Sequence, residues 1–419
     1  MQHILFISYD GMTDPLGQSQ VIPYLQGLTK YGYRFSILSC DKPDKYASHK
    51  AHVENILSGY PIQWISIPYH KNPPVLSSLY DFRQIKKSIR RLQQTDPVDM
   101  VHTRPGLPAL AGIWMKKKYG TKFLNDIRGF WADERVDGGM WNLSNPVFKF
   151  IYAYFRKQED LAIRLADYNT CLTKNAEKEI RSWDRVPQPV RLSVIPCSVD
   201  MNFFNPANYS REHRADVRKS IGVSDTDLLV SYLGSIGGWY LTREMMQCCR
   251  YIADAHPSAR FLFISNNRHE DIKKEADAAG IASDRLIIRQ APHHEVPMWL
   301  SLSDYSIFFI KPCYSKISSS PTKQAEIMAM GIPIISNSGV GDVEEIIRAH
   351  DAGLVASTLD EKSLREIAKQ AVAQLGQFNQ EKIRKGAIAV FDLKQAVEAY
   401  ALIYDAVLGK ISKNFANYC

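Results

Sequence analysis

The sequence predicts an α/β protein made of two doubly wound, parallel-sheet domains. Short apolar strands alternate with glycine-bearing loops and helical patterns, an order that generates parallel βαβ units with helices on both faces of a sheet. The alternation pauses near residue 200 and restarts near residue 228. The length of 419 residues supports two or three domains at about 100–200 residues each.

The first half of the chain is an unbroken series of strands and helices. HILFISY is predicted as the first strand, DGMTDPLGQSQ as a loop, and VIPYLQGLTKYG as a helix that Gly32 ends. The following elements are predicted as FSILSC, IQWISI, the basic helix RQIKKSIRRLQQ, VDMVHT, PALAGIWMKKKYG, TKFLND, a long helix near 146–165, YNTCLT, a helix around NAEKEIRSW, and LSVIPC. These elements complete one domain near residue 200.

The second half repeats this organisation after a polar, helix-poor stretch at 201–227. Its elements are predicted as LLVSYLG, REMMQCCRYIADA, RFLFISN, EDIKKEADAAG, RLIIRQ, EVPMWLSLS, YSIFFIK, TKQAEIMAMG, IPIISNS, VEEIIRAH and GLVAS. The end of the sequence, LREIAKQAVAQLGQF followed by LKQAVEAYALIYDAVLGKI, is predicted to be helical.

Composition excludes several classes of protein. With 45% apolar and 23% charged residues the chain is typical of a globular protein and unlike a disordered one. The seven cysteines form no C-x-x-C pair and no cluster with histidine at metal-ligand spacing, which indicates reduced thiols. The start, MQHILFISYDG, lacks the features of a signal peptide, and no apolar stretch reaches the roughly 20 residues of a membrane span. We therefore expect a cytoplasmic protein.

The formal charge of +8 is concentrated in the first 200 residues, which carry 27 Lys and Arg against 19 Asp and Glu. Part of the excess recurs at helical spacing, at Arg83, Lys86, Lys87, Arg90 and Arg91. A solvated helix face explains this stripe, and so does contact with anionic lipid headgroups at the inner face of a membrane. Nucleic acid is the weakest interpretation because no recognised nucleic-acid module accompanies the stripe.

Ligands of parallel sheets bind at the carboxyl ends of the strands, where loops and helix N-termini converge. In the first domain, Gly17 and Gln18 follow the first strand and precede a helix, so their backbone N–H groups are candidates for phosphate binding. An ordinary tight turn is the alternative. In the second domain the turn LGSIGGWY offers Gly234, Ser235 and Gly238 for close approach to a ligand.

The segment SSSPTKQAEIMAMGIPIISNSGVGDVEEII is the strongest local signal. Its helix start is a candidate anion site, formed by Ser318, Ser319, Ser320 and Thr322 with Lys316 and Lys323 as nearby cations. Glu326 lies one turn inside the helix, where a carboxylate can accept two hydrogen bonds from a vicinal diol such as a ribose. A surface glutamate that complements the helix dipole is the alternative. A second helix start follows at Gly339 to Asp342.

Two acidic or histidine-rich segments are poor metal candidates. Asp225 and Asp227 form a D-x-D sequence that precedes a strand instead of following one, so we interpret them as structural. His293 and His294 lack a third ligand at fixed spacing, which argues against zinc. The sequence predicts no metal site.

Several of these segments, in order and spacing, resemble the family-4 retaining glycosyltransferases of the GT-B fold. The matching segments are GQSQV, DIRGFWADE, VIPCSVDMNFF, LGSIGGWY and PTKQAEIMAMGIPIISNSGVGDVEEI. The resemblance implies two Rossmann-like domains that face each other across a cleft: an acceptor-binding domain at 1–205 and a nucleotide-sugar-binding domain at 206–395. It also implies a final helix, at 396–419, that crosses back to the first domain.

The resemblance also assigns roles to residues. Glu326 matches the second of the family's two glutamates, which binds the ribose, whereas Ser318 stands where the first would read the donor sugar. Arg128 takes the position of a histidine that many relatives carry near the transferred sugar, with Asp126 beside it; an Asp126–Arg128 ion pair that fixes the loop is the alternative. The family's Arg and Lys pair is not evident, and Lys316 or Lys323 is expected to neutralise the diphosphate.

The implied activity is transfer of a hexose from a UDP or GDP sugar to a hydroxyl acceptor with retention at the anomeric carbon. The implied reaction needs neither a metal nor a cofactor, and a glycan or lipid-linked acceptor in cell-surface polysaccharide or glycolipid assembly suits the basic first domain. A non-catalytic sugar-nucleotide or glycan binding protein, and a GT-B sugar-nucleotide epimerase or a phosphorylase, are the alternatives.

Overall fold

The computed structural model describes residues 1–410, which form two compact units. The N-terminal unit contains Met1–Pro196 and the segment that begins at Leu393, and the C-terminal unit contains Cys197–Asp392. Both boundaries therefore lie before the predicted ones at 205 and 395. The last part of the predicted final helix, at 411–419, lies outside the described residues.

The N-terminal unit is built on a sheet of seven strands, all of whose neighbouring pairs are parallel. The strands are β1 (Gln2–Ser8), β2 (Tyr33–Asp41), β3 (Ile62–Pro68), β4 (Met100–Thr103), β5 (Lys122–Ile127), β6 (Tyr168–Cys171) and β7 (Leu192–Val194). Their spatial order is β3-β2-β1-β4-β5-β6-β7. The order changes direction beside β1, as in doubly wound sheets.

Helices connect these strands and cover both faces of the sheet. They are α1 (Pro15–Gln20), α2 (Ile22–Thr29), α3 (Pro43–Leu57), α4 (Leu76–Thr95), α5 (Leu107–Tyr119), α6 (Trp131–Asp137), α7 (Pro146–Leu165) and α8 (Lys174–Arg181). Alternating side chains of β1 divide between two cores: Ile4 and Phe6 pack in one cluster, and Leu5 and Ile7 in the other. The near-continuous apolar sequence of this strand thus reflects burial on both faces.

The C-terminal unit repeats the plan with six strands in the order β10-β9-β8-β11-β12-β13, again all parallel. The strands are β8 (Leu229–Leu233), β9 (Arg260–Ile264), β10 (Leu286–Arg289), β11 (Tyr305–Ile307), β12 (Ile334–Asn337) and β13 (Gly353–Ala356). The helices are α9 (Arg211–Ser220), α10 (Thr242–Ala255), α11 (His269–Ala278), α12 (Val296–Leu300), α13 (Thr322–Ala329), α14 (Val343–Ala349), α15 (Glu361–Ala373) and α16 (Gln380–Phe391). The predicted fold class is confirmed.

The prediction was wrong in two places within this unit. The stretch at 201–227 contains α9, which Ser210 begins by accepting a hydrogen bond from the His213 backbone N–H. The predicted strand YSIFFIK ends early, at Ile307, and a 3₁₀ turn at Tyr314–Ser318 lies between it and α13.

The next helix, α17 (Leu393–Val407), belongs to the N-terminal unit. Its buried face packs on α2, where a Cβ at Gly27 would lie 2.7 Å from Cγ2 of Val397, so only glycine permits this approach. The Tyr404 hydroxyl lies 2.7 Å from Nδ1 of His102, and the Tyr33 hydroxyl donates to Asp405. The end of the described chain thus completes the core around the first strands.

None of the helices within residues 1–410 is long and apolar enough to cross a bilayer. The six cysteines in that range are free thiols, and five of them are buried.

Candidate active site

The turn after β8 is shaped by glycines. Gly234, Gly237 and Gly238 adopt φ values of 118°, 74° and 62°, a backbone conformation that other residues rarely adopt. A Cβ at Gly234 would lie 2.9 Å from Nζ of Lys323. Because Gly234 has no side chain, the ammonium group of Lys323 can lie against the turn.

Lys323 is buried under this turn on α13. Its Nζ donates to the Tyr232 hydroxyl at 3.2 Å and lies 4.4 Å and 3.6 Å from the ring centres of Tyr232 and Tyr240. The Tyr232 hydroxyl in turn donates to the carbonyl oxygen of Ser235. Burial lowers the pKa of Lys323, the negative charge of Glu326 opposes this, and the result is a pKa of about 7.

Lys316 approaches the same turn from the 3₁₀ segment before α13. Its side chain is buried, and Nζ lies 3.9 Å from the centre of the Trp239 ring. The backbone N–H of Gly341, in the loop after β12, donates to the Lys316 carbonyl at 2.8 Å. The two predicted lysines are thus held against adjacent aromatic residues of one turn.

The serines before α13 differ in what they can offer to a ligand. Ser318 is fully buried and its hydroxyl donates to the Ser315 carbonyl at 2.7 Å, so the hydroxyl is engaged within the protein, and donor binding by Ser318 stays a prediction. The Ser320 hydroxyl accepts from the backbone N–H of Cys197, whereas Ser319 is half-buried. Thr322 is the first residue of α13, after Pro321 at the N-cap.

Glu326 lies on the second turn of α13 and is 9% exposed, which excludes the alternative of a fully solvated surface glutamate. Its Oε1 is 3.9 Å from Nε2 of His293, whose ring stacks on Phe203 with centres 5.2 Å apart. From the sequence, His293 was considered only as a zinc ligand, so its place beside Glu326 was not predicted. No local sequence signal connects residues so far apart in the chain.

Within residues 1–410, no cluster of His, Cys, Asp and Glu is arranged to hold a metal ion. Asp227 instead accepts a hydrogen bond from the backbone N–H of Ser224 and lies 3.9 Å from Arg260.

The segment predicted as a phosphate-binding loop in the N-terminal unit is partly helical. Gly17 and Gln18 lie inside α1, not in a loop before it. Gly17 is buried, and a Cβ there would overlap the carbonyl of Gly11 and lie 2.6 Å from Cα of Met12. The Gln18 side chain is directed to the Thr13 carbonyl, at 3.5 Å. Gly17 therefore serves close packing, and its backbone N–H lies in the first turn of α1. That this N–H binds a ligand stays a prediction.

Arg128 and Asp126 lie at the carboxyl end of β5. Nε of Arg128 is 4.0 Å from Asp126, and its Nη2 donates to Gln20 at 3.3 Å. Asp126 is 3% exposed and accepts from the Thr170 hydroxyl at 2.9 Å. Burial alone would raise the pKa of Asp126, but Arg128 and His102 lower it to about 2. Asp126 is therefore a buried anion that orients Arg128, which fits the ion-pair alternative.

Residues 20–203 match the family model of Glycosyltransferase Family 4. No curated protein sequence matches the chain.

Solved structures share the fold over nearly the whole chain. Sucrose-phosphate synthase from Thermosynechococcus elongatus has a TM-score of 0.74 at 14% identity and covers 98% of this chain and 100% of its own. HepE from Anabaena, solved with UDP-glucose, has a TM-score of 0.68 at 12% identity, with 97% and 100% covered. WaaG, a glycosyltransferase involved in lipopolysaccharide biosynthesis, has a TM-score of 0.69 at 13% identity, with 96% and 99% covered. The GT-B fold predicted from the motifs is confirmed, and the match over residues 20–203 agrees with the predicted family.

Replacement of Lys323 by Met should change stability in a pH-dependent way. The pKa of this amine is about 7 in the folded protein and near 10.5 for an ordinary lysine, so between these values the unfolded chain binds a proton that the folded chain does not. Wild-type stability therefore rises with pH across this window. The stability of Lys323→Met relative to wild type should be highest below pH about 7 and should decline toward about 10.5.

Urea unfolding at a series of pH values measures this difference. Lys385→Met is the matched control, because the Lys385 side chain is 72% exposed. A difference between Lys323→Met and wild type that is the same at every pH would contradict the buried titrating amine.

Proposed function

Taking this chain as a glycosyltransferase of family 4, we propose that it moves a hexose from a nucleotide diphosphate sugar to an acceptor hydroxyl with retention at the anomeric carbon. The observation that carries this proposal is the pair of buried lysines, Lys316 and Lys323, beside the glycine turn, with Glu326 three residues after Lys323 on α13. The complex of HepE with UDP-glucose supports a UDP sugar as the donor, and a GDP sugar is the alternative.

Glu326 is the proposed ribose ligand. Its carboxylate is held on α13, and only hydrogen-bond acceptors remain on it when it is ionised, so it suits the two hydroxyl donors of a ribose. The Glu326 charge also attracts the ammonium group of Lys323, which connects the ribose ligand to the proposed phosphate ligand.

In the proposed reaction, the protein must stabilise negative charge that develops on the leaving diphosphate. As the bond from the anomeric carbon to the diphosphate oxygen breaks, negative charge grows on that oxygen, and the acceptor oxygen forms its bond on the same face of the sugar. The acceptor proton passes to the departing diphosphate, so no pair of acid and base carboxylates is needed. Lys316 and Lys323 stabilise the growing charge in a site already ordered before the reaction.

The N-terminal unit is the proposed acceptor unit, and α4 is its proposed contact with a membrane surface. Residues 75, 76 and 79, at the start of this helix, are exposed apolar side chains, and Arg83, Lys87, Arg90 and Arg91 continue the exposed face. Lys86 is half-buried over the Phe82 ring. An apolar end followed by a basic face suits anionic lipid headgroups. This supports a lipid-linked acceptor in glycolipid or cell-surface polysaccharide assembly, at the inner face of the membrane.

Glu326→Ala should weaken UDP binding by about 1–3 kcal/mol, because the nucleotide loses a charged hydrogen-bond partner. Isothermal titration calorimetry with UDP measures the effect. Glu361→Ala, on α15 with a side chain that is 68% exposed, should bind UDP like wild type. Unchanged affinity in Glu326→Ala would remove the ribose assignment.

Chelation of divalent ions with EDTA should leave turnover largely intact, because the protein itself supplies the positive charge. Lys316→Ala and Lys323→Ala should each lower the rate by roughly 10²-fold, whereas Lys385→Ala should not. Hydrolysis of a panel of UDP and GDP sugars without acceptor provides the assay and also separates a transferase from a non-catalytic binding protein. Loss of all activity in EDTA, restored by Mn²⁺ or Mg²⁺, would contradict the proposal and return attention to Asp225 and Asp227.

Binding to vesicles of anionic phosphatidylglycerol should be sensitive to salt. Reversal of Lys86, Lys87, Arg90 and Arg91 to Glu should abolish it, since each basic group near an anionic surface contributes about 1 kcal/mol. A control with the same charge change reverses the exposed lysines 273, 274, 362 and 369 in the C-terminal unit. Vesicle sedimentation gives the bound fraction, and equal binding to neutral and anionic vesicles would show that the stripe is a solvated face.

A further inference from the structure

An aspartate-oriented histidine lies at the carboxyl end of β3, apart from the residues considered so far. Nδ1 of His70 is 2.6 Å from Oδ1 of Asp81, a fully buried carboxylate on α4. Oδ2 of the same carboxylate accepts from the His70 backbone N–H at 3.2 Å and from the Tyr9 hydroxyl at 2.8 Å. The imidazole is thus fixed in position by elements that follow β1 and β3.

This arrangement leaves the other ring nitrogen available. A carboxylate only accepts hydrogen bonds, so Nδ1 of His70 carries the proton and Nε2 points away from Asp81. The His70 side chain is 41% exposed, and Nε2 makes no hydrogen bond to any group in residues 1–410. A buried carboxylate used to orient a half-exposed imidazole is an arrangement that presents one nitrogen to a ligand.

The surroundings of His70 are aromatic and polar. The Tyr80 ring, which is 48% exposed, stands edge-on to the imidazole with centres 5.0 Å apart. Tyr69 packs against Tyr9 in the same way at 5.4 Å. The Asp81 carboxylate and the Tyr80 ring contact the imidazole, and the Tyr9 hydroxyl donates to the same carboxylate.

The chemistry of this patch fits a sugar. A neutral imidazole accepts a hydrogen bond through Nε2 and a protonated one donates, and a hydroxyl group can serve as partner in both states. An exposed aromatic ring next to such a group offers an apolar face to the C–H groups of a sugar ring. The carboxyl edge of the sheet is where ligands of this architecture bind.

We propose that His70 and Tyr80 form a subsite for a sugar ring of the acceptor, with Nε2 of His70 hydrogen-bonded to one of its hydroxyl groups. The inference rests on the proposed function, because it concerns the acceptor of the same reaction. Asp81 acts as a positioning residue. His70 takes no proton in the transfer step, since the acceptor proton leaves with the diphosphate.

Octyl glucoside, octyl galactoside and octyl mannoside, each below its micelle concentration, serve as acceptor probes with UDP-glucose. His70→Ala and Tyr80→Leu should each raise the KM for the preferred octyl hexoside about tenfold, the size expected for one lost hydrogen bond or ring contact, with little change in the KM for UDP-glucose. His52→Ala, at an exposed position on α3, is the matched control.

Imidazole ¹⁵N NMR of the full chain tests the contact without any turnover. The Nε2 resonance of His70 is assigned as the signal that is missing from the spectrum of His70→Ala. Addition of the octyl hexosides should shift this resonance, and Asp81→Asn should weaken the shift. No shift with any of the three probes, or a shift produced only by inorganic phosphate, would overturn the subsite. A shift with hexosides in a protein that neither hydrolyses nor transfers from any nucleotide sugar would instead overturn the proposed function and leave sugar binding standing.

Discussion

Parallel strand pairing is the constraint on which the rest of the structure depends. Parallel neighbours cannot be joined by a tight turn, so each pair requires a crossover, and here helices supply most of them. The crossovers bring the carboxyl ends of the strands in each unit to one edge. The candidate site residues lie at these edges: Arg128 comes after β5, His70 after β3, and the glycine turn after β8. Side chains far apart in sequence thereby become neighbours without any special device.

The same constraint explains why most of the fold could be predicted from the sequence. A strand buried on both faces is a short apolar run, and a crossover helix is an amphipathic one, so the two alternate visibly; α7 was predicted at its observed position, 146–165. The failures lie where this signal is weak. The helix α9 has a largely polar sequence, which resembles a linker. The stretch after Ile307 stays apolar because its residues remain in the core, although the backbone has left the sheet.

The candidate site was predictable in composition but not in geometry. Lysine and glutamate near a helix start indicate anion and diol binding, and Lys316, Lys323 and Glu326 were predicted as site residues on that ground. Sequence patterns carry no information on which distant side chains are in contact. The contacts of the Lys316 and Lys323 ammonium groups with the Trp239 and Tyr240 rings therefore could not be predicted. Gly17 has a packing role that its sequence context does not reveal, since the absence of a Cβ there lets two backbone segments touch.

The return of α17 to the N-terminal unit has a consequence for biosynthesis. The C-terminal unit is one continuous stretch of chain, whereas the N-terminal unit is made from two stretches that the whole of the other unit separates. On the ribosome, the face of α2 that receives Val397 remains uncovered until the C-terminal unit has been synthesised. The part of the protein that is translated first therefore completes its core last, and its apolar surface is available to chaperones during most of translation.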